Sequence, residues 1–521
     1  MSAPNTHENP RKTQPLTRSA YIDSLRDSRE IWVHGERVGD VTTHPVFRNS
    51  AQMFARQYHA LHDPNRSDKL LTTTDTGSGG QTHRFFRVPR SIDDLLAERD
   101  ALTEWARLVY GWVGQSPEEG AGILVPLGVA PEAYGAYESN ARRWYQKATE
   151  QVLFFHHAIH SAMNGLRDPC EVPLIIERET DAGLVFSGSC IVPSSAALSH
   201  CGFIVHHTHW PSRAEDYPIA FITPMNSPGV KLQCRPSSNA LTRLYGTPFD
   251  YPLTSRFEDN DALLTFDSAL VPWENVLAFG AGSDGILSFL RAGFAARKNF
   301  QESIRLAVKL EFVAGLLMHA AKAAGTVSLS ESRAAAGELL SYRNLFWGLS
   351  EAQIRAPDPW INGALLPGSD HGVSYRMSST LVFPRVREIV ERIVGTGSVF
   401  LTSSAADFSN PVTKSNLEKL VRAQNGYSTL DRVKLMKLLW DAVGVEAQSR
   451  LDPPSQTKII RELRETVYAS ASATGFADQC MEFADRCLNE YNAEGWTTPD
   501  LITTIEPVPA LSSRRQTRIT F

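Results

Sequence analysis

Leu184-Val185-Phe186, Phe203-Ile204-Val205 and Ile219-Ala220-Phe221-Ile222 are short apolar runs rich in β-branched and aromatic residues, set apart by Gly, Pro and Ser. Runs of that length and composition read as strands rather than helices. They define a β-rich stretch between roughly Val172 and Val276. On its N-terminal side, from about Thr17 to Ala148, the texture is helical: Leu95, Leu96, Leu102, Trp105, Ala106 and Leu108 recur near helical spacing between Ile92 and Tyr110. Beyond Pro272 helices return. Ser303, Ile304, Ala307, Val308, Phe312, Gly315 and Leu316 form one stripe, with Gly325 placed to end the helix. Further helices are readable at Ser332 to Leu349, Pro384 to Val394, Leu417 to Asn425, Thr429 to Val443 and Lys458 to Glu490. The order α, β, α predicts an α+β chain with a helical domain at 1–152, a middle β barrel or sandwich at 153–280, and a helical bundle with a tail at 281–521. Such tail bundles often make contacts between subunits.

Composition narrows the function. The 521 residues are 42% hydrophobic, enough for a large core, and 52 Lys and Arg against 57 Asp and Glu leave a net charge of −5 without a basic block. Neither a nucleic-acid groove nor an anionic membrane surface is indicated, so small molecules and further copies of the chain are the expected partners. Met1 to Thr17 is polar, and no apolar run reaches the about 18 residues of a membrane span. A cytoplasmic location is expected. The six cysteines, Cys170, Cys190, Cys201, Cys234, Cys480 and Cys487, are scattered without a C-x-x-C pair, as for reduced buried thiols.

Local motifs give little. Gly280-Ala281-Gly282-Ser283-Asp284-Gly285 matches the dinucleotide fingerprint in letters, but the following texture is a helix leading into a second long helix, with no βαβ unit to seat a pyrophosphate. Electrons for any redox chemistry must then arrive with a diffusing carrier. Two histidine groups stand out: His156, His157 and His160, and, on an expected strand edge, His206, His207 and His209. A helical first group would put His156 and His160 on one face, as metal sites use, but no Asp or Glu stands at ligand spacing. Ordinary hydrogen-bonded histidines beside a ligand cavity are the favoured reading, so no metal site is assigned.

Longer stretches carry a resemblance. Ile31-Trp32-Val33-His34-Gly35-Glu36-Arg37-Val38, Asp40-Val41-Thr42-Thr43-His44-Pro45 and Thr74-Asp75-Thr76-Gly77-Ser78-Gly79-Gly80-Gln81-Thr82-His83-Arg84-Phe85-Phe86 resemble the large, oxygenase component of the 4-hydroxyphenylacetate 3-monooxygenase family. So do Asn140-Ala141-Arg142-Arg143-Trp144-Tyr145, Asp250-Tyr251-Pro252-Leu253-Thr254-Ser255-Arg256-Phe257, Pro272-Trp273-Glu274-Asn275-Val276 and Arg305-Leu306-Ala307-Val308-Lys309-Leu310. The likeness runs from about residue 15 to Trp496. It implies an acyl-CoA-dehydrogenase-like fold, a homotetramer, and FAD taken up as FADH2 from a separate NAD(P)H-dependent flavin reductase. With O2 as co-substrate such proteins form a flavin C4a-hydroperoxide that hydroxylates a small aromatic or heteroaromatic substrate, in some cases within specialised biosynthesis. N-oxygenation or oxidative rearrangement of an amine-type substrate, or a metal-using or non-catalytic paralogue that holds no flavin, are the alternatives. A related dehydratase type holds an iron–sulfur cluster on cysteines expected around Gln115 and around Arg297 to Ser303; neither region contains one.

Carried residue by residue, the family's substrate-contacting His falls on His157, in His157-Ala158-Ile159, which also stands in the flavin region. The family's G-R-T-P-D-Y segment reads Gly114-Gln115-Ser116-Pro117-Glu118-Glu119, so Gln115 replaces an Arg and Glu119 a Tyr that contact the phenolic oxygen. Losing a cation and gaining a carboxyl disfavours a phenolate and favours an amine, indole, pyrrole or amino-acid-like substrate; solvated loop glutamates are the plain alternative. The substrate-tail loop corresponds to His206, His207, Thr208 and His209 onward. For the flavin, Ser194 stands where the family has a Thr, Arg167 is a candidate phosphate ligand, and Gly444, Val445, Glu446 and Ala447 replace a G-S-E-F run.

Overall fold

The computed structural model describes residues 13–112, 115–159, 174–192, 195–209, 216–235, 247–257, 261–395, 402–443, 456–489, 491–492 and 495–496. The helices of the first part are α1 (Arg18–Ser24), α2 (Arg48–Ala60), α3 (Ser67–Leu70), α4 (Ile92–Arg107), α5 (Pro117–Val129) and α6 (Glu138–Gln151). Their ends follow local chemistry. Ser91 caps α4 by accepting from the Asp94 amide, and α5 starts on Ser116 with Pro117 in its first turn, where proline's missing N–H costs nothing. Nearly every residue of α5 is buried, so this helix is packed on all sides rather than amphipathic.

The apolar runs form strands of one ten-stranded sheet: β5 (Phe155–Ile159), β6 (Ile175–Thr180), β7 (Gly183–Val192), β8 (Cys201–His209), β9 (Asp216–Pro224), β10 (Val230–Cys234), β11 (Ala262–Pro272) and β12 (Val276–Phe279). The order is β12-β9-β8-β6-β7-β11-β10, then β1 (Glu30–Val33) and β2 (Glu36–Val38), with β5 on β8. The short hairpin β3 (Leu71–Thr73) and β4 (Gln81–His83) stands apart. Two expectations change. Among the described strands the sheet does not close into a barrel, because its order ends on β12 and β2. And Ile31-Trp32-Val33 in the helical first part is a strand, paired in parallel with β10, because alternate burial of Ile31 and Val33 fits a sheet. The core between the sheet's layers includes Phe186 stacked on Phe221 at 4.9 Å, with Phe266 at 5.8 Å from Phe221. Each such buried ring is worth about 1.5–3 kcal/mol relative to an exposed one.

The second helical part is longer than its sequence texture suggests. α7 (Asp284–Ala324) is a single helix of 41 residues, roughly 60 Å long, where two helices were expected. It does end at Gly325, whose φ of 74° gives the left-handed cap. α8 (Ser330–Arg355) and α9 (Ser369–Val394) follow, and α9 runs through Pro384 rather than starting there. α10 (Pro411–Leu420) lies earlier than expected, with Pro411 opening it, and α11 (Thr429–Val443) has the expected bounds. The tail divides at Gly475, φ 74°, into α12 (Gln456–Ala473) and α13 (Phe476–Leu488). The described residues from 458 onward belong to a second compact unit. No helix among the described residues is long and apolar enough to cross a membrane.

Two buried charge contacts tie the layers together. Arg297 of α7, wholly buried, reaches Glu98 of α4 at 3.1 and 3.3 Å, donates to the Phe85 carbonyl at 2.7 Å, and lies 4.0 Å over the Phe85 ring. Burial lifts Glu98 to about 7 although Arg297 draws it down. On α11, Asp441 accepts from the Leu253 and Thr254 amides at 2.6 and 3.0 Å, while Lys437 pairs with Asp250 at 2.6 Å. The Asp250-Tyr251-Pro252 segment is thereby pinned to the helical layer.

Candidate functional site

β5 is the element on which the site is built. Phe155, His157 and Ile159 point to one face, His156 and Ala158 to the other, as strand alternation requires. The stretch is a strand and not the helix considered for a metal pair, and residue 160 lies outside the described residues. His156 faces inward, its Nδ1 2.8 Å from Ser199 Oγ, and burial with Arg29 nearby pushes it down to about 3, a neutral structural imidazole. Gly202 opposite it is required, since a Cβ there would come within 2.7 Å of His156 Nε2. His200, likewise held at about 3 by burial, accepts from the Phe154 amide at 2.9 Å and meets Ser24 Oγ at 2.9 Å.

The other face of β5 looks at α5 and α7. Gly120 packs so closely on Phe155 that a Cβ would stand 2.9 Å from the Phe155 Cβ and carbonyl oxygen. His157 is half-buried, with its ring 4.7 Å from Phe294 in edge-to-face contact. α5 and α7 run antiparallel: a Cβ on Gly293 would meet Pro126, one on Gly122 would touch Phe294 and Arg297, Glu119 meets Lys298, and Gln301 donates to Glu118 at 3.1 Å. The small residues Gly120, Gly122 and Gly293 are what let three elements approach around His157.

Glu118 and Glu119 are therefore not solvated loop residues. Both are buried in the first turn of α5, where the helix dipole favours carboxylates. Glu118 accepts from Ser116 Oγ and Gln301 through one oxygen, and burial raises its carboxyl. Glu119 lies 2.8 Å from Lys298 Nζ, and Lys298 is also 3.7 Å from Glu302. Burial lifts the Glu119 carboxyl, in part countered by Lys298. Burial would pull the ammonium down, but Glu119 and Glu302 more than offset it and hold Lys298 above the ordinary lysine range. Lys298 Nζ is also 5.6 Å from the centre of the Phe294 ring, so one aromatic ring touches both His157 and Lys298.

Gln115 is half-buried immediately before α5. His206 is half-buried on β8, which is an interior strand between β9 and β5 rather than an edge. His207, Thr208 and His209 continue β8, their backbones opposite Pro218, Tyr217 and Asp216; their side chains lie outside the described residues. Arg167, Ser194, Gly444, Val445, Glu446 and Ala447 also lie outside them. Phe294, Lys298, Gln301 and Glu302 were not singled out from sequence. Their spacing, four, three and one residues along α7, places them on one helix face, and that stripe is the signal that would have found them.

The described part of the site fits a flavin. β5 pairs in parallel with β8, and the wall it makes with α5 and α7 is apolar and close-packed, with Phe294 edge-to-face on His157 and Gly120 against Phe155, surroundings that suit a flat flavin ring. Gly280 to Gly285 joins β12 to α7, but β12 is antiparallel to β9 and α7 leads to another helix, so no dinucleotide βαβ unit exists there. No group of three or more His, Cys, Asp or Glu among the described residues is arranged to hold a metal ion.

Known proteins share this arrangement over almost its whole length. Residues 17–278 match the model of the 4-hydroxyphenylacetate 3-hydroxylase N-terminal domain and residues 288–452 that of its C-terminal domain. The chain is 43% identical to the oxygenase component of 4-nitrophenol 2-monooxygenase from a Rhodococcus species, over 95% of this chain and 96% of the relative. It is 44% identical to a Streptomyces globisporus monooxygenase of (3S)-3-amino-3-(3-chloro-4-hydroxyphenyl)propanoyl-[peptidyl-carrier protein SgcC2], over 94% of both. With the oxygenase component of Escherichia coli 4-hydroxyphenylacetate 3-monooxygenase it shares 41% identity over 94% of this chain and 95% of the relative. The crystal structure of the HpaB oxygenase component complexed with FAD superposes with a TM-score of 0.78 at 25% identity, covering 91% of this chain and 99% of that one. The fold is the expected acyl-CoA-dehydrogenase-like one, and a 4-hydroxybutyryl-CoA dehydratase shares it with a TM-score of 0.74 at 17% identity. With both domains matched in order and the β5–α5–α7 site inside them, this chain belongs to the 4-hydroxyphenylacetate 3-hydroxylase family.

Proposed function

We propose that this chain is the oxygenase component of a two-component flavin monooxygenase that adds a hydroxyl group to the ring of a phenol, with His157 as the acid–base residue. The observation that carries the reading is the half-buried His157 imidazole on the β5 face that looks at α5 and α7. Reduced FAD, delivered by a separate reductase, supplies together with O2 the oxygen atom transferred to the ring. The chain's own residues do the rest. His157 shares the phenol's hydroxyl proton, so that the ring gains phenolate character and becomes a better nucleophile. Phe155 and Phe294 beside it keep the site apolar, and Gly120 lets α5 close over β5. The flavin ring lies against the His157-Ala158-Ile159 strand, with Arg167, Ser194 and the 444–447 segment as further flavin contacts, and Gln115 and His206 to His209 as the walls of the substrate site.

The Glu119 carboxylate already has Lys298 at 2.8 Å, so it needs no ammonium from a substrate. That weighs for a phenol over an amine-type substrate. The three sequence relatives above are each named for a phenol or a 4-hydroxyphenyl compound, one of them carrier-bound. We read the assembly as a cytoplasmic homotetramer. The test is to supply purified protein with FAD, a flavin reductase, NADH and 4-substituted phenols. A product with one added oxygen beside the phenolic hydroxyl supports the reading; oxidation of the flavin with H2O2 as sole product for every phenol overturns it.

A further inference from the structure

We infer that Lys298, steered by Glu119, is the residue that recognises the ionised oxygen of the substrate and so selects phenols acidic enough to bind as phenolates. The inference rests on the phenol reading above and names a determinant that the resemblance did not supply. Its basis is position. Lys298 Nζ and the His157 ring flank the same Phe294 side chain, at 5.6 and 4.7 Å from its centre. Lys298 leaves α7 one turn after Phe294, on the face that meets the N-terminal turn of α5. An ammonium has three N–H donors, and among the described residues Glu119 at 2.8 Å is the carboxylate within hydrogen-bonding distance of Lys298 Nζ, Glu302 standing at 3.7 Å. Donors therefore remain for an oxygen anion placed between Lys298 and His157.

The surrounding charges favour an anion. Glu119 has Lys298 and Arg305 as neighbouring cations, and Lys298 has Glu119, Glu302 and Arg376 around it. Glu118 has one oxygen hydrogen-bonded by Ser116 and Gln301 and a second, buried oxygen without a partner. Burial raises its carboxyl above the ordinary glutamate range. A phenolate beside Lys298 is attracted by its ammonium, whereas a substrate ammonium there would be repelled. Lys298 is partly exposed, at 23% of its side chain, while Glu119 is at 2%, so the ammonium and not the carboxylate is the group an incoming ligand reaches.

The test uses 4-nitrophenol as probe, because its phenolate is coloured and its neutral form is not. The probe is titrated into the full-length protein without turnover, at a pH below its own pKa. Wild type is expected to bind it as the yellow phenolate. In Lys298→Met the share bound as phenolate falls about tenfold or more, equivalent to at least one pKa unit of lost differential stabilisation. Lys298→Arg restores the yellow form, and Glu119→Gln, which leaves the cation, keeps it. Circular dichroism confirms that each variant is folded, and should Lys298→Met not fold, the wild-type, Lys298→Arg and Glu119→Gln spectra decide. Phenolate colour that is the same in Lys298→Met as in wild type, or absent from folded wild type, Lys298→Arg and Glu119→Gln alike, overturns the inference. Hydroxylation of phenols by wild type that shows no yellow complex leaves the phenol reading standing and sinks only the role of Lys298; failure to hydroxylate any phenol strikes the reading itself.

Discussion

Replacing Arg297 by methionine removes the cation that joins α4 to α7 directly behind the site. Glu98 would stay buried, 3% exposed, without its contacts at 3.1 and 3.3 Å, and the Phe85 carbonyl would lose a donor at 2.7 Å. Breaking a buried pair from one side costs about 3–5 kcal/mol, because the remaining charge is desolvated without compensation. The loss should depend on pH. Burial holds the folded Glu98 at about 7, above its ordinary 4.5, so the folded protein binds this proton more tightly than the unfolded chain does. That contribution to stability is fully present below 4.5 and is lost as pH rises through about 7. Without Arg297 the folded value climbs further, so Arg297→Met should fall behind wild type more at about pH 8 than at about pH 5. Urea unfolding followed by fluorescence reads this as a lower midpoint at unchanged slope. The double variant Glu98→Leu/Arg297→Met should recover to within about 1 kcal/mol of wild type, since an apolar pair carries no stranded charge. A single-variant loss below about 1 kcal/mol, or one equal at both pH values, would refute the reasoning, as would a double variant no better than the single.

Further outcomes follow from the same geometry. His157→Ala should lower ring-hydroxylated product about a hundredfold or more while anaerobic FADH2 affinity changes less than tenfold, read by coupled turnover beside flavin titration. Gly120→Ala, whose new Cβ meets Phe155 at 2.9 Å, should cost about 1–3 kcal/mol and shift reducing equivalents from product to H2O2, because α5 must move off β5. Asp441→Ala strands the Leu253 and Thr254 amides and should cost about 1–3 kcal/mol, with faster hydrogen exchange at those two amides as the local sign.

Period and composition carried much of the fold. The apolar runs from Leu184, Phe203 and Ile219 all became strands, and Thr429 to Val443 became α11 with those bounds, because in each the local pattern agrees with its burial. Local signals failed where tertiary contacts decide. Pro384 reads as a helix start, yet α9 passes through it, and Ile31 to Val33 is a strand held between β10 and β2. His157 was found through likeness, and its neighbours were not. Phe294 and Lys298 lie more than a hundred residues away on α7 and reach His157 and Glu119 only when α5, α7 and β5 pack together. Glu119 illustrates the limit: its charge was legible, but whether that charge awaited a substrate amine or a lysine depended on a partner supplied by the fold.

The most direct measurement is to mix the anaerobic complex of the protein with FADH2 and a phenol against isotopically labelled O2, then analyse the product by mass spectrometry. The account predicts tight binding of the reduced flavin and one labelled oxygen in the new ring hydroxyl. Product oxygen taken from water, or a protein with no affinity for reduced FAD, would contradict it.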